Sequence, residues 1–335
     1  MRRRAIWALG VLTAVLLLVG CQSTAVNSAK MYLDQGQPQL AKQQLLTAAQ
    51  SAPDDPEVHF LLGKVYGLER DWAAMAAAFV RSAACGPQFV QDIAQHRRYY
   101  WTLEYNAGIV AASAAEPDYA TAASHFEAAT VIDPAPALAW RNLGFVYHKL
   151  NLPDKALAAY QQAAAVAPDD TLALAGVTTM LVQRARYAEA ESLLQRLVEL
   201  TPGDAEAFAN LGTVYGQTGD SGRAEAAFRQ ALTLDPGLST AYYGLGNLHW
   251  QQQDYEQAKV AYQEAVAADP HNSDARFNLA MVHLRLGDDA AARPLPHWRK
   301  MAARRARPGR QAAPMRSRQA TLDQRGAECA WSPSK

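Results

Sequence analysis

Apolar and small residues recur along this chain in two alternating sets with a fixed spacing. A register is set by Pro53, Pro87, Pro134, Pro168, Pro202, Pro236 and Pro270, whose gaps are 34, 47, 34, 34, 34 and 34. Let each stretch of 34 residues end two residues after its proline. Position 4 is then Trp140, Phe208 and Tyr242, and position 7 is Leu62, Leu143, Leu211, Leu245 and Leu279. Position 8 is Gly63, Gly144, Gly212, Gly246 or Ala280, and position 11 is Tyr66, Tyr147 and Tyr215, or His249 and His283. A second set follows. Position 20 holds Ala41, Ala156, Ala190, Ala224 and Ala258; position 24 holds Phe79, Tyr160, Phe228 and Tyr262; position 27 holds Ala48, Ala163, Ala231 and Ala265. Positions 4, 7, 8 and 11 share one face of a helix, and 20, 24 and 27 share one face of a second. Small residues let the two backbones approach, and the large ones fill the space between. The proline at position 32 stops the second helix. Neither helix buries its face alone, so the units must stack.

The pattern W…LG..Y followed by A…F..A….P, at this period, resembles the tetratricopeptide repeat family. The resemblance covers about residues 22–292. It implies an all-α, right-handed superhelical solenoid of about eight helix-turn-helix units. The units read as 22–55, 56–89, 101–136, 137–170, 171–204, 205–238, 239–272 and a partial 273–292. "QFVQDIAQHRR", within 88–100, fits no unit and reads as an inserted helical segment, with a long inter-repeat loop as the alternative. In the third unit "AAEPDY" lengthens the turn by two residues. The unit 171–204 carries Leu174, Thr178 and Leu194 where its sisters have aromatics or glycine, and is expected to pack more loosely.

The ends differ from the middle. "MRRRAIWALGVLTAVLLLVGC" joins three arginines to an apolar run too short for an ordinary membrane span, as a secretory signal peptide over 1–20 would. "LVGC" resembles the lipobox of bacterial lipoproteins, which implies that Cys21 becomes a lipidated mature N-terminus. The alternative is a signal peptide with an incidental cysteine. Gln22, rather than Asp, after that cysteine implies the outer membrane, facing the periplasm. At the other end, 293–335 contains 11 Lys or Arg and 2 Asp or Glu residues, whereas 22–292 contains 18 basic and 30 acidic ones. The zero total therefore hides two opposed charges. Pro296 falls at position 24 of the last unit. The tail reads as a shifted or truncated reading frame, or as a basic disordered extension.

Candidate chemistry is sparse. No phosphate-cradling glycine loop, metal-spaced His/Cys pair or nucleophile elbow is present. "GDSGR" at 219–223 occupies the turn between two repeat helices, where a protease loop has no place. The expectation is a chain that is not an enzyme, with no cofactor, no metal and no nucleic-acid partner; self-association is left open. What remains is surface. In tetratricopeptide arrays the concave face is lined by first-helix positions 2, 5, 9, 12 and 13. The resemblance implies a partner-binding groove of Tyr105, Arg141, Phe145, His148, Tyr243, Asn247, Trp250, Gln251, Phe277 and Met281, with Phe60 and Lys64 also on that face. The carboxylate clamp of some family members, Lys at position 5 with Asn at 9, is absent: Arg141 is followed by Phe145. The partners implied are protein segments of secretion, pilus, outer-membrane or cell-wall machinery. The alternative is a glycan or small molecule stacked on Tyr243 and Trp250.

Overall fold

The computed structural model describes residues 24–288, 290 and 291. The expected signal peptide, Cys21 and the tail 293–335 lie outside the described residues. Every regular element described is helical. The first helix, α1, is seen over 24–34. It is followed by α2 (Pro38–Ser51), α3 (Pro56–Leu68), α4 (Trp72–Cys85), a 3-10 turn (Pro87–Phe89), α5 (Val90–Ser113), α6 (Tyr119–Ile132), α7 (Ala137–Lys149) and α8 (Pro153–Val166). Then come α9 (Thr171–Gln183), α10 (Tyr187–Leu200), α11 (Ala205–Thr218), α12 (Ser221–Leu234), α13 (Ser239–Gln251), α14 (Tyr255–Ala268) and α15 (Ser273–Leu286). The chain forms two compact bodies that divide between Lys155 and Ala156, inside α8.

One turn geometry follows the first helix of every unit except the third. Gly36, Arg70, Asn151, Ala185, Gly219, Gln253 and Gly287 all have left-handed backbones, with φ from 56° to 91°. All seven stand at position 15. The next amide then reaches back five residues, as Asp71 N–H does to Tyr66 O (2.9 Å) and Asp220 N–H to Tyr215 O (2.9 Å). This is a Schellman closure, which satisfies carbonyls that a helix end would otherwise leave without partners. The residue that donates this bond often caps the following helix. Asp71, Asp220 and Asp254 accept from the backbone amides of Ala74, Arg223 and Gln257. One residue thus ends the first helix and starts the second.

Packing inside a unit turns on the position-8 glycine. A methyl group built on Gly212 would lie 2.8 Å from the Phe228 ring, and one on Gly63 2.3 Å from Phe79. Gly108 and Gly246 meet Phe126 and Tyr262 in the same way. In each pair the ring at position 24 lies flat against a bare backbone, which explains why both positions recur. Leu174, Thr178 and Leu194 depart from the expectation of loose packing, because all three are fully buried. Their unit has no glycine at position 8; Gly176, at position 6 like Gly244, receives the Tyr160 ring of the unit before. The Thr178 hydroxyl is satisfied by Ala175 O at 3.0 Å.

The inserted segment is not a separate helix. Nothing in 90–107 breaks a helix, so it runs into the first helix of the third unit and makes α5 24 residues long. Five residues, 114–118, connect α5 to α6, against three between α3 and α4. Elsewhere in each body the second helix of one unit packs on the first helix of the next, as α2 on α3, α6 on α7 and α12 on α13. Here α4 packs on the 3-10 turn and on α6 instead. The insert also covers part of α3. Phe89 stacks on Phe60 at 4.7 Å, His96 meets the same ring edge-on, and Tyr100 lies against Gly67. Phe60, expected on the open face, is therefore core.

Candidate functional site

The ten expected groove residues fall in both bodies: Tyr105, Arg141, Phe145 and His148 in the first, the other six in the second. Within the first body, Tyr105 is committed internally. Its ring stacks on Trp101 at 4.6 Å, and its hydroxyl accepts from Asn142 Nδ2 at 3.0 Å. Burial raises its pKa. Phe145 is half-buried, edge-on to Tyr119 and beneath the Lys149 ammonium. Arg141 and His148 are half-buried on the same helix.

The second body repeats the Tyr–Asn clasp and extends it. Asn278 is buried, and its side-chain amide faces the Tyr243 hydroxyl (3.4 Å), Asn247 Oδ1 (3.1 Å) and the Tyr262 hydroxyl (3.4 Å). Tyr262 in turn donates to Asn247 Oδ1 at 2.7 Å. Burial raises the pKa of both phenols, so both stay neutral donors at ordinary pH. Asn142 and Asn278 thus hold the position-5 tyrosine of the preceding unit, which accounts for asparagine at position 6. Tyr243 and Asn247 belong to this inter-unit joint. Trp250 is also partly engaged: it lies edge-on to Tyr255 at 5.2 Å, with the Arg285 guanidinium 5.8 Å over its ring. Neither aromatic is a free stacking platform for a sugar.

Open surface remains beside them. Phe277 and Gln251 are exposed, and Met281 is half-buried. Between α11 and α13 lies a recess of ≈ 280 Å³, including the solvent at its mouth. Phe228, Leu248, Gly212, Gly216 and Gly244 line it, and Thr213, Gln217, Asn247 and Gln251 bring polar groups to it. Such a place can accept a short side chain or a stretch of extended backbone. It offers amide donors and acceptors but no nucleophile with a base beside it. Among the described residues, no three His, Cys, Asp or Glu side chains are grouped to hold a metal.

One ionic feature escaped the sequence reading. Glu104 occupies position 4, where three sister units have Trp140, Phe208 and Tyr242, and its side chain is only 2% exposed. It pairs with the Arg70 guanidinium, and with His125 Nδ1 at 2.7 Å. Arg70 reaches it from the left-handed turn residue after α3. The one visible signal was a carboxylate in the Trp140, Phe208, Tyr242 column.

The tetratricopeptide repeat profile matches residues 27–88, 181–239 and 243–295, and a second profile of the same repeat matches 137–170. The chain belongs to the tetratricopeptide repeat family. Among solved tetratricopeptide repeat (TPR) structures, that of PilW, a type IV pilus biogenesis factor, is 20% identical with a TM-score of 0.52, over 61% of this chain and 98% of PilW. PilF of Pseudomonas aeruginosa is 20% identical, with a TM-score of 0.49 over 63% of this chain and 93% of its own. YrrB, described as a TPR protein with an unusual peptide-binding site, is 22% identical, with a TM-score of 0.47 over 60% and 97%. At these identities the likeness shows the TPR fold alone. No curated protein matches the chain.

Proposed function

We propose that this TPR protein is a non-catalytic interaction scaffold of the bacterial cell envelope that holds a protein segment against α11, α13 and α15. The observation that carries this reading is the recess between α11 and α13, rimmed by polar side chains, together with exposed Phe277 on α15 of the same body. Exposed aromatics beside polar groups are the side chains that dominate protein interfaces. The apolar lining and the side-chain amides around it suit an extended segment. Membership of the TPR family favours protein partners over a reaction. Lipidation at Cys21, at the outer membrane facing the periplasm, is part of the same reading and rests on "LVGC" and Gln22. Secretion, pilus, outer-membrane and cell-wall assemblies are the partner classes, and PilW is an example of a pilus factor with this fold.

Phe277→Ala tests the reading, because Phe277 is the exposed aromatic of α15. Capture of proteins from detergent-solubilised envelope is expected to fall by about tenfold, roughly 1.4 kcal/mol, in a variant whose melt still shows a cooperative fold. Equal capture by Phe277→Ala and wild type would remove the site from this face. Binding to a glycan array that the same substitution abolishes would favour the sugar reading instead.

A further inference from the structure

The end of the second helix leaves an apolar residue uncovered in three successive units. Val166, Leu200 and Leu234 are 42%, 40% and 37% exposed, and all three lie in the second body. Each is the last residue of its helix, α8, α10 or α12, and each stands at position 30. An exposed proline follows two residues later in each case, Pro168, Pro202 and Pro236. Equivalent positions of stacked units lie about one helix diameter apart, roughly 10 Å. The three side chains therefore make an apolar ladder along one edge of the array. A singly exposed leucine needs no explanation; a row at a fixed spacing does. None of the three lines the recess between α11 and α13 or belongs to the expected groove.

The same edge is acidic, and the excess is local. Residues 165–172, 199–206, 233–240 and 267–274, which hold the ladder and the turns beside it, contain eight carboxylates and no Lys or Arg. Arg196, one turn back on α10, reaches Asp169 at 2.5 Å. Glu199 is exposed next to Leu200. Asp204, Asp235 and Asp269 accept from the backbone amides of Ala207, Gly237 and His271, which fixes them without cancelling their charge. The opposite edge, where the two helices of a unit turn, is different. Residues 183–190, 217–224 and 251–258 hold four carboxylates and three arginines, with Arg186 paired to Glu189 and Arg223 to Asp220. The ladder edge is negative and the facing edge nearly balanced.

Charge and shape decide the occupant. A second copy brings the same negative edge, on an array with 18 basic and 30 acidic side chains over 22–292, and is repelled. Anionic lipid and nucleic acid are repelled for the same reason. The chain's own tail has the charge, but its arginine-rich stretch 302–314 contains no large apolar side chain to set on the ladder. A basic segment that also carries apolar residues matches both features.

We infer that the ladder of Val166, Leu200 and Leu234 is a docking surface for a basic amphipathic helix of another protein. Apolar side chains two turns apart along that helix, about 10.5 Å, meet successive rungs. Lys or Arg side chains one turn to either side reach toward Glu199, Asp204, Asp235 and Asp269. The surface is separate from the recess, so the scaffold holds this helix and a groove-bound segment at different places.

The test uses the full chain and a labelled helical peptide of about 18 residues, five turns, with Leu at i, i+7 and i+14, Lys one turn from each, and Ala elsewhere. Fluorescence anisotropy is expected to show binding that weakens as salt rises. Glu199→Lys and Leu200→Ser should each weaken it by about threefold or more. Glu256→Lys makes the same charge change at the opposite edge and should leave binding within about twofold of wild type. Phe277→Ala should also bind the peptide normally, which keeps this inference apart from the groove reading. The substituted side chains are exposed, so the variants should melt with the wild type; Val166→Ser stands in for Leu200→Ser if that variant does not. The inference is overturned if the peptide does not bind, or if Glu256→Lys weakens binding as much as Glu199→Lys. It is equally overturned if Leu200→Ser dissolves a dimer in sedimentation. Binding only after Arg304, Arg305, Arg307 and Arg310 are changed to Gln would overturn it too, and would give the edge to the chain's own tail.

Discussion

Phe228 shows how much a single ring does in this array. It is 2% exposed and touches two bare backbones, Gly212 in its own unit and Gly244 in the next. Removing it opens a cavity that rigid helices cannot close. Phe228→Ala is expected to cost about 3–5 kcal/mol, read from denaturant melts; a loss below 1 kcal/mol would contradict the packing described. Glu104 is the opposite case, a residue whose partners matter more than its presence. A buried carboxylate is costly to desolvate, and breaking its pairing leaves that cost uncompensated. Arg70→Ala should therefore lower the melting midpoint, whereas Glu104→Leu, in a column that holds aromatics in three sister units, should leave it level or raise it. A larger loss for Glu104→Leu than for Arg70→Ala would refute this. Tyr243 and Asn247 show why the sequence alone misassigned roles on this face. Position 5 and position 9 point away from their own unit's core, so periodicity marks them as surface. Tyr262 of their own unit and Asn278 of the next turn them into a joint.

Elements are joined by a turn whose conformation is more constant than its sequence. Position 15 is left-handed whether it is Gly219, Arg70 or Ala185. For an L-residue this conformation costs roughly 1–2 kcal/mol. Only Gly escapes it, at the expense of a more flexible unfolded chain. At φ 56° Ala185 carries the strain with no side-chain interaction to offset it. Ala185→Gly is expected to raise stability by up to about 1 kcal/mol, measurable as an upward shift in denaturant midpoint; destabilisation would mean that the turn is not strained. Helix existence and helix pairing were legible in the sequence because seven prolines and a glycine–aromatic pair fix the phase. The part of Gly176 and Gly244, which receive the ring of the preceding unit, was not, since the register marks only the pairing inside a unit. The fusion of the insert with α5 was not legible either. Without a proline or glycine between 90 and 107, a helix can start anywhere in that stretch, and contacts of Phe89, His96 and Tyr100 with the preceding unit decide where.

At the scale of the whole molecule, the proposed site of action depends on one residue outside the described region. If Cys21 carries acyl chains, each buried methylene adds about 0.8 kcal/mol of membrane affinity. Cys21→Ser is expected to move the protein from the detergent phase to the aqueous phase, or to leave it unprocessed. Unchanged partitioning would rule out lipid attachment there. No described helix is long and apolar enough to cross a membrane.

The mating of each position-24 ring with a glycine inside its own unit has a consequence for how such a gene can change length. Gain or loss of a block of 34 codons, the common gap between the prolines, leaves every ring facing a glycine and every turn closed. A block of any other size keeps these pairs inside their units but breaks the stacking of one unit on the next. The one irregular gap in this chain, 47 between Pro87 and Pro134, is such a block, and it lies where α4 abandons its usual neighbour and α5 is left uncovered. Out-of-step insertion is thus a route by which a uniform array acquires a surface that its other repeats do not have.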